Sequence, residues 1–387
     1  MNKNAKILLG VTGGIAAYKA IDLASHLTKS GYTVRTIMTD HAREFVTPIN
    51  FSAITHEPVY WNQWDAAEPI AHITLADWAD IVVIAPATAN IIAKSAHGIA
   101  DDLLTTTLVA ATCPILFIPA MNIHMFENAA TQDNISILRD RGSFVLEPDS
   151  GNLACGYEGK GRFPAIQEII YTIDTYLNHG VDLTGKKLLI TAGGTIEKID
   201  PMRALTNQSS GKMGLALARA AWLRGAEVTL VNTPLSDPLP YYIRHYDVTS
   251  AFEMYEKVME LAIDHAAIIM AAAVADFTVN NPSESKIKKD TDLNINLSRT
   301  KDILEELGKR KKSGQILVGF AAETDDLEKN AKDKLRKKNL DLIFANHLNV
   351  SGKVDSEGYL ITSDSSTFIT GSKFQIAHFI LDKIIHG

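Results

Sequence analysis

Two stretches of this sequence open alike. Lys6-Ile-Leu-Leu-Gly-Val-Thr-Gly-Gly14 and Lys187-Leu-Leu-Ile-Thr-Ala-Gly-Gly194 each run a short apolar segment into a glycine pair. A buried strand, a tight turn and a following helix are the opening of an open α/β sheet, and glycine lets the backbone N–H groups of that turn approach a phosphate. Two such openings on one chain predict two α/β units. The echo is too short to imply a duplication, so it is read as shared architecture.

The rest of the sequence follows the same alternation. In the first half the spacing predicts strands at Lys6–Val11, Thr33–Met38, Asp80–Pro86 and Pro114–Pro119, with helices over Ile15–Ser30, Ala100–Ala111, Ala130–Arg141 and Ala165–Asn178. Asp80-Ile-Val-Val-Ile-Ala-Pro86 is apolar without alternation, as expected of a parallel strand covered on both faces. Polar, turn-rich Asn178–Gly185 separates the halves, giving domains 1–180 and 181–387. The second half predicts a helix over Ser210–Arg224, strands at Glu227–Val231, Ala267–Ala272, Gln315–Phe320 and Leu340–Phe344, a basic helix Leu327–Lys338, and a mobile lysine-rich loop Asn280–Thr291. The fold class is therefore α/β, two doubly wound Rossmann-like domains.

Composition narrows the class. With 46% hydrophobic and 21% charged residues, the 387-residue chain is neither disordered nor fibrous. A net charge of −7 argues against a nucleic-acid binder. Of 38 basic and 45 acidic residues, the first 180 positions hold 11 and 18, leaving 27 of each beyond. Lysines thus concentrate in the second half, which suits either an anionic small molecule or solvated helix faces. Two cysteines, Cys113 and Cys155, offer no disulfide framework and fit a reducing, cytoplasmic setting. Gly10, Gly13 and Gly14 break the N-terminal apolar stretch, so a first strand explains it better than a signal peptide. Ala266–Ala275 is too short to span a bilayer.

Generic motifs exclude more than they identify. Neither opening carries G-x-G-x-x-G, and Ser209-Ser-Gly-Lys-Met213 lacks the first glycine of a P-loop, since position 206 is Thr. No H-E-x-x-H, paired C-x-x-C or G-x-S-x-G occurs. What remains is a set of small polar residues at predicted strand ends. They are Gly13 and Gly14, Thr39, Thr88 and Asn90 in Pro86-Ala-Thr-Ala-Asn90, and Asn122 in Pro119-Ala-Met-Asn122. Ligands bind at such ends in open sheets, although each piece alone also fits ordinary loop chemistry. Cys155 sits among glycines in Gly151–Arg162, where a thiol on a loop can close over a site and deliver a proton. His72, placed just before a helix leading to Trp78, carries no functional signal by itself.

These residues together resemble a known family. GVTGGIAAYKA, AHITL, APATANIIAK, GIADDLLTTT, PAMNIHM and LACGYEGKGR make residues 6–180 similar to the flavin-dependent cysteine decarboxylases, a flavodoxin-like domain. ITAGGTIEKIDPMRALTNQSSGKMG, AAAVADF, KIKK and VGFAAET make residues 186–387 similar to the phosphopantothenate–cysteine ligases, a nucleotide-binding domain. The whole chain resembles the bifunctional decarboxylase/ligases of coenzyme A biosynthesis. Two departures are Ala129, where the family has Pro, and Thr300-Lys301-Asp302, where N-P-D is usual.

The resemblance implies FMN in the first domain, contacted by Gly13, Gly14, Thr39, Thr88 and Asn90. The flavin oxidises the cysteinyl thiol to a thioaldehyde, which eases decarboxylation to an enethiol, and then returns the electrons. His72 becomes a base or orienting group, Asn122 a carboxylate anchor, and Cys155 the proton donor. In the second domain, CTP converts 4′-phosphopantothenate to an acyl-cytidylate, and cysteine displaces CMP to give 4′-phosphopantothenoylcysteine. The implied nucleotide contacts are Met270, Ala271, Ala272, Asp276, Lys286, Lys301, Asp302, Ile303, Leu304, Phe320, Lys334 and Lys338, with Asn207 and Lys286 acting on the intermediate. The i, i+4 spacing of Lys334 and Lys338 by itself fits a solvated face equally. Mg²⁺ is expected with CTP, and a homo-oligomer built on trimers, up to a dodecamer, follows from the resemblance. Two other readings remain at this stage: a decarboxylase of peptidyl cysteine with an unrelated second domain, and a non-enzymatic regulatory subunit.

Overall fold

A computed structural model describes residues 4–64, 69–154, 156–240, 242–288, 294–323, 327–347 and 355–386. The chain divides into two compact units, Met1–Gly180 and Val181–Gly387.

The first unit is built on a six-stranded parallel sheet. Its strands are β1 (Lys6–Val11), β2 (Thr33–Met38), β3 (Val59–Tyr60), β4 (Ile81–Ala87), β5 (Ile115–Pro119) and β6 (Phe144–Val145), in the order β3-β2-β1-β4-β5-β6. Without the two-residue edge strand β3, the order is that of a flavodoxin-like sheet; with it, that of a Rossmann sheet. Side chains alternate between two cores, as the period of a strand requires. Ile7, Leu9 and Val83 join one core with Leu23, Leu27, Ile169 and Ile173 from helices Ala17–Lys29 and Ile166–Asn178. Leu8, Val82 and Ile84 join the other with Leu75, Ile91, Leu104 and Ile135 from helices Ala71–Trp78, Ala89–His97, Leu103–Ala110 and Ala129–Asp140. Every residue of β4 is buried, which is why its sequence does not alternate. A small antiparallel hairpin, β7 (Asp149–Asn152) and β8 (Glu158–Arg162), stands outside the sheet.

The second unit repeats the plan on a larger sheet. Its strands are β9 (Lys187–Ala192), β10 (Ile196–Asp200), β11 (Arg203–Thr206), β12 (Glu227–Asn232), β13 (Arg244–Asp247), β14 (Ala267–Met270), β15 (Phe277–Val279), β16 (Leu297–Arg299), β17 (Ile316–Glu323), β18 (Leu342–His347), β19 (Asp355–Ile361) and β20 (Ser366–Ser372). The main sheet runs β13-β12-β9-β14-β17-β18-β19-β20, parallel up to β18 and antiparallel beyond. The pairs β10–β11 and β15–β16 form separate hairpins. Leu189, Ile268, Leu317 and Ile343 pack on one face against Met254, Val258, Leu307, Ala331 and Leu335 from helices Ala251–Leu261, Ile303–Arg310 and Leu327–Lys337. At the end of helix Lys212–Leu223, the wholly buried Arg224 binds Asp182 at 2.7 Å and Asp382 at 2.8 Å. This triad ties the start of the unit to its C-terminal helix Lys373–His386; removing the guanidinium would strand two carboxylates.

Most expected elements occur within a few residues of their expected bounds. His72 is a difference: it is the second residue of helix Ala71–Trp78 rather than preceding it. The three separate hairpins, β7–β8, β10–β11 and β15–β16, were not foreseen. Their strands are short and polar, so neither periodicity nor apolar runs mark them.

Candidate active sites

In each unit a cavity opens at the carboxyl ends of the parallel strands. The first, of about 790 Å³, lies where β1 and β4 adjoin and the strand order reverses. Thr12 fastens these strand ends together: its hydroxyl donates to Pro86 O at 2.6 Å and accepts the Thr88 N–H at 3.2 Å. Gly13 is held so closely that a Cβ would sit 2.4 Å from His41 Cβ, so only glycine leaves the turn in place. A Cβ on Gly14 would instead project to 3.5 Å from Thr88 Cγ2 and fill the cradle between them. Bare glycine backbone at a strand end, with the Thr88 side chain beside it, is a fit for a phosphate-bearing flavin.

Gly13, Gly14, Thr88 and Asn122 all line this cavity. Thr88 caps helix Ala89–His97, and Asn122 caps the short helix Ile123–Phe126, accepting the His124 N–H at 2.8 Å. The opposite wall comes from the β7–β8 hairpin, through Asn152, Leu153, Ala154 and Arg162, and the hairpin is tied in by the Met121 N–H donating to Gly161 O at 3.0 Å. Cys155 lies outside the described residues; Ala154, which precedes it in sequence, is part of the lining. Thr39, Asn90 and His72 are not in the lining. Thr39 caps helix Asp40–Arg43, Asn90 is exposed on its helix, and His72 belongs to helix Ala71–Trp78. Sequence reasoning missed Lys19 and Arg162, the charged members of the lining. Burial lowers the Lys19 pKa first and the Arg162 charge lowers it further, with Asp149 opposing. The signal was a lysine one helical turn beyond the glycine pair.

The second cavity, of about 660 Å³, sits at the ends of β14 and β17. Its walls hold Met270, Ala272, Asp276, Lys301, Asp302, Ile303, Leu304, Phe320, Lys334 and Lys338. Asp302 caps helix Ile303–Arg310 through the Glu305 N–H at 3.0 Å and takes the Lys338 ammonium at 2.5 Å. Burial alone would raise the Asp302 pKa; these hydrogen bonds and the charges of Lys338 and Lys334 outweigh it and hold the group below the usual range. Lys334 donates to Phe320 O at 2.9 Å, and Phe320 packs edge-on against Phe344. At the departure from N-P-D, the Thr300 hydroxyl donates to Ala275 O at 2.6 Å, so the turn is closed by a side chain.

Ala271, Asn207 and Lys286 are not in this lining. Asn207 adjoins it, its Nδ2 donating to Ala273 O at 3.3 Å and Val274 O at 3.2 Å. Lys286 is exposed on the loop before β16. Arg299, Phe277 and Lys337 were missed; the first two arrive on the unforeseen β15–β16 hairpin. Around the β9 turn, Gly193 has φ 92°, and a Cβ there would meet Thr233 Oγ1 at 2.0 Å. Among the described residues no group of three or more His, Cys, Asp or Glu side chains is placed to hold a metal ion, and no helix is long and apolar enough to cross a membrane.

Comparison with known proteins decides the lineage. Residues 1–178 match the flavoprotein family, and residues 183–386 match the DNA/pantothenate metabolism flavoprotein C-terminal domain. The coenzyme A biosynthesis bifunctional protein CoaBC of Bacillus subtilis is 48% identical over 358 residues, covering 91% of this chain and 88% of the relative. This chain belongs to the CoaBC family. The Vibrio cholerae CoaBC protein is 44% identical over 353 residues, covering 90% of this chain and 88% of the relative. A solved C-terminal domain of a CoaBC protein is 39% identical, covers 53% of this chain and 97% of its own, and aligns with a TM-score of 0.46. As a CoaBC-family chain, the protein is a bifunctional enzyme of coenzyme A biosynthesis, a flavoprotein phosphopantothenoylcysteine decarboxylase joined to a phosphopantothenate–cysteine ligase. The match over 183–386 removes the reading in which the second domain is unrelated to this pathway, and the family's two activities remove the regulatory one.

Proposed function

We propose that the two activities divide between the two cavities, decarboxylation with FMN in residues 1–180 and CTP-dependent ligation in residues 181–387. The observation that carries this reading is the contrast in lining: glycine, threonine and mostly apolar side chains with two cations, Lys19 and Arg162, in the first cavity, and five lysines and arginines with three carboxylates in the second.

In the first unit, Gly13, Gly14 and Thr88 hold the flavin phosphate with backbone N–H groups and a hydroxyl, and Thr39 and Asn90, outside the lining, are its further contacts. FMN supplies a two-electron sink for the cysteinyl group, so that the carboxylate can leave as carbon dioxide. Asn122 anchors that carboxylate at the cavity wall. Cys155 gives its thiol proton to the enethiol carbon. His72 orients or deprotonates the substrate thiol.

In the second unit, the 4′-phosphopantothenate carboxylate attacks the α-phosphorus of CTP and pyrophosphate leaves. Lys301, Lys334 and Lys338 offset the triphosphate charge, Phe320 packs on the base, and the residues Met270–Ala272, Asp276 and Asp302–Leu304 shape the nucleotide pocket. Cysteine's amine then displaces CMP, with Asn207 and Lys286 acting on the activated carboxyl. Mg²⁺ accompanies the nucleotide rather than a resident protein site. The enzyme works in the cytoplasm as a homo-oligomer built on trimers.

The test is a visible spectrum of the purified protein with and without phosphopantothenoylcysteine, run beside a pyrophosphate assay with phosphopantothenate, cysteine and CTP. The reading expects flavin absorbance that bleaches on substrate addition, and pyrophosphate release that requires CTP. Protein without flavin colour, or release that ignores CTP, would contradict it.

A further inference from the structure

Lys286 lies outside the cavity lining, and the contacts of its neighbours say what holds it. Asp200 ends β10, and its side chain is fully enclosed, with 0% exposed. Its Oδ1 accepts the N–H groups of Met202 at 2.7 Å and Arg203 at 2.8 Å, closing the turn into β11. Its Oδ2 accepts the N–H of Ile287 at 3.2 Å, from a distant part of the sequence, and Arg203 Nη1 at 3.2 Å. The Ser283 N–H donating to Ile199 O at 2.9 Å makes a second tie between the same strand and the same loop.

A turn alone needs one acceptor oxygen, which asparagine would supply. The second oxygen of Asp200 serves the loop. Burial by itself would raise the pKa of this carboxyl; the Met202, Ile287 and Arg203 N–H groups and the Arg203 charge outweigh burial and keep it ionised. From the Asp200 turn, β11 leads directly to Asn207, which is bonded to the strand end at the cavity. One carboxylate therefore fixes both the Asn207 hairpin and the residue next to Lys286.

We propose that Asp200 is a positioning residue that latches the Lys286 loop to the Asn207 hairpin through the Ile287 N–H, and so sets how fast the activated intermediate is consumed rather than how tightly CTP binds. The inference deepens the ligase reading above and rests on it. An exposed lysine one residue from a fixed amide reaches substrate only from where that amide is held. Releasing the amide leaves the lysine's charge intact but costs it a defined position.

Two variants of the full chain test the latch. Asp200→Asn keeps an acceptor for the turn but puts an amide donor where Ile287 needs an acceptor. Ile287→Pro removes the N–H and leaves Asp200 untouched, so it decides the matter alone if Asp200→Asn folds poorly. Each is expected to slow cysteine-dependent amide formation about tenfold, the effect of one charge-assisted hydrogen bond. CTP-dependent pyrophosphate release and the KM for CTP stay within about twofold of wild type, and the activated intermediate accumulates. The double variant is no slower than either single one, because one contact is lost once. Ile287→Ala, which keeps the N–H, behaves as wild type. Unchanged amide formation in both variants, or equal loss of both half-reactions, overturns the latch. Absence of CTP-dependent pyrophosphate release from the wild type would instead sink the ligase reading, so the two failures are distinguishable.

Discussion

The two cavities occupy comparable places in two sheets of related topology, yet their linings have opposite character. The first joins bare glycine backbone and hydroxyls to Met121, Met125, Leu153 and Phe163, with Lys19 and Arg162 as its only charged members among the described residues. The second gathers Arg299, Lys301, Lys334, Lys337 and Lys338 around Asp276, Asp302 and Glu305. A planar cofactor kept through many turnovers is best held by shape, backbone N–H groups and burial. A triphosphate that arrives and leaves as product needs exposed cations that shed it readily. Strand order fixes where a ligand sits; the loops after the strands fix what kind.

Substitutions confined to one cavity should therefore break one activity and spare the other. Cys155→Ser is expected to have the largest effect: carbon dioxide is still released in a first turnover, the enzyme stalls at the enethiol, and turnover to 4′-phosphopantetheine falls about 100- to 10,000-fold, as for loss of a proton donor. Pyrophosphate release by the same variant should match wild type in a parallel assay. Gly13→Ala comes next: its Cβ would overlap the His41 backbone carbon at 2.8 Å. Overpacking of this sort costs about 1–3 kcal/mol, enough to strip most flavin from the purified protein, as its visible absorbance would report. Lys334→Met should raise the KM for CTP about tenfold, the loss of one hydrogen bond to a charged group. Carbon dioxide release from added phosphopantothenoylcysteine should not change.

The smallest effect concerns Asp302. Its pKa lies below the unfolded value of about 4, so the stability it lends the second unit is complete above that value. It is lost as pH falls through the lower, folded value. Asp302→Ala should cost about 1 kcal/mol at neutral pH, the worth of a helix N-cap, and should flatten that acid limb. Thermal unfolding followed from about pH 6 down to about pH 3 would read both.

How much of this was legible beforehand follows from which forces leave a mark on sequence. Ile81–Ala87 announced itself because a strand buried on both faces must be apolar throughout. Gly13 did so because close backbone approach demands glycine. The β7–β8 and β15–β16 hairpins left no such mark. Glu158-Gly-Lys-Gly-Arg162 reads as part of a loop able to close over a site, and the fold adds that it pairs as a strand and brings Gly161 and Arg162 to the cavity. Phe277 and Arg299 reach the second cavity by the pairing of β15 with β16, a tertiary event. Lys334 and Lys338 were visible as a spacing, but helical spacing does not separate a solvated face from a nucleotide site. Lys19 and Asp200 were overlooked because single charges acquire meaning only through neighbours that are distant in sequence.

The division of labour is tested most directly by following carbon dioxide and pyrophosphate in parallel with a Lys334→Met/Lys338→Met variant, supplying phosphopantothenoylcysteine to one sample and phosphopantothenate, cysteine and CTP to the other. Pyrophosphate release should collapse while carbon dioxide release holds at the wild-type rate. A matched fall in both, with the flavin spectrum intact, would contradict separate sites.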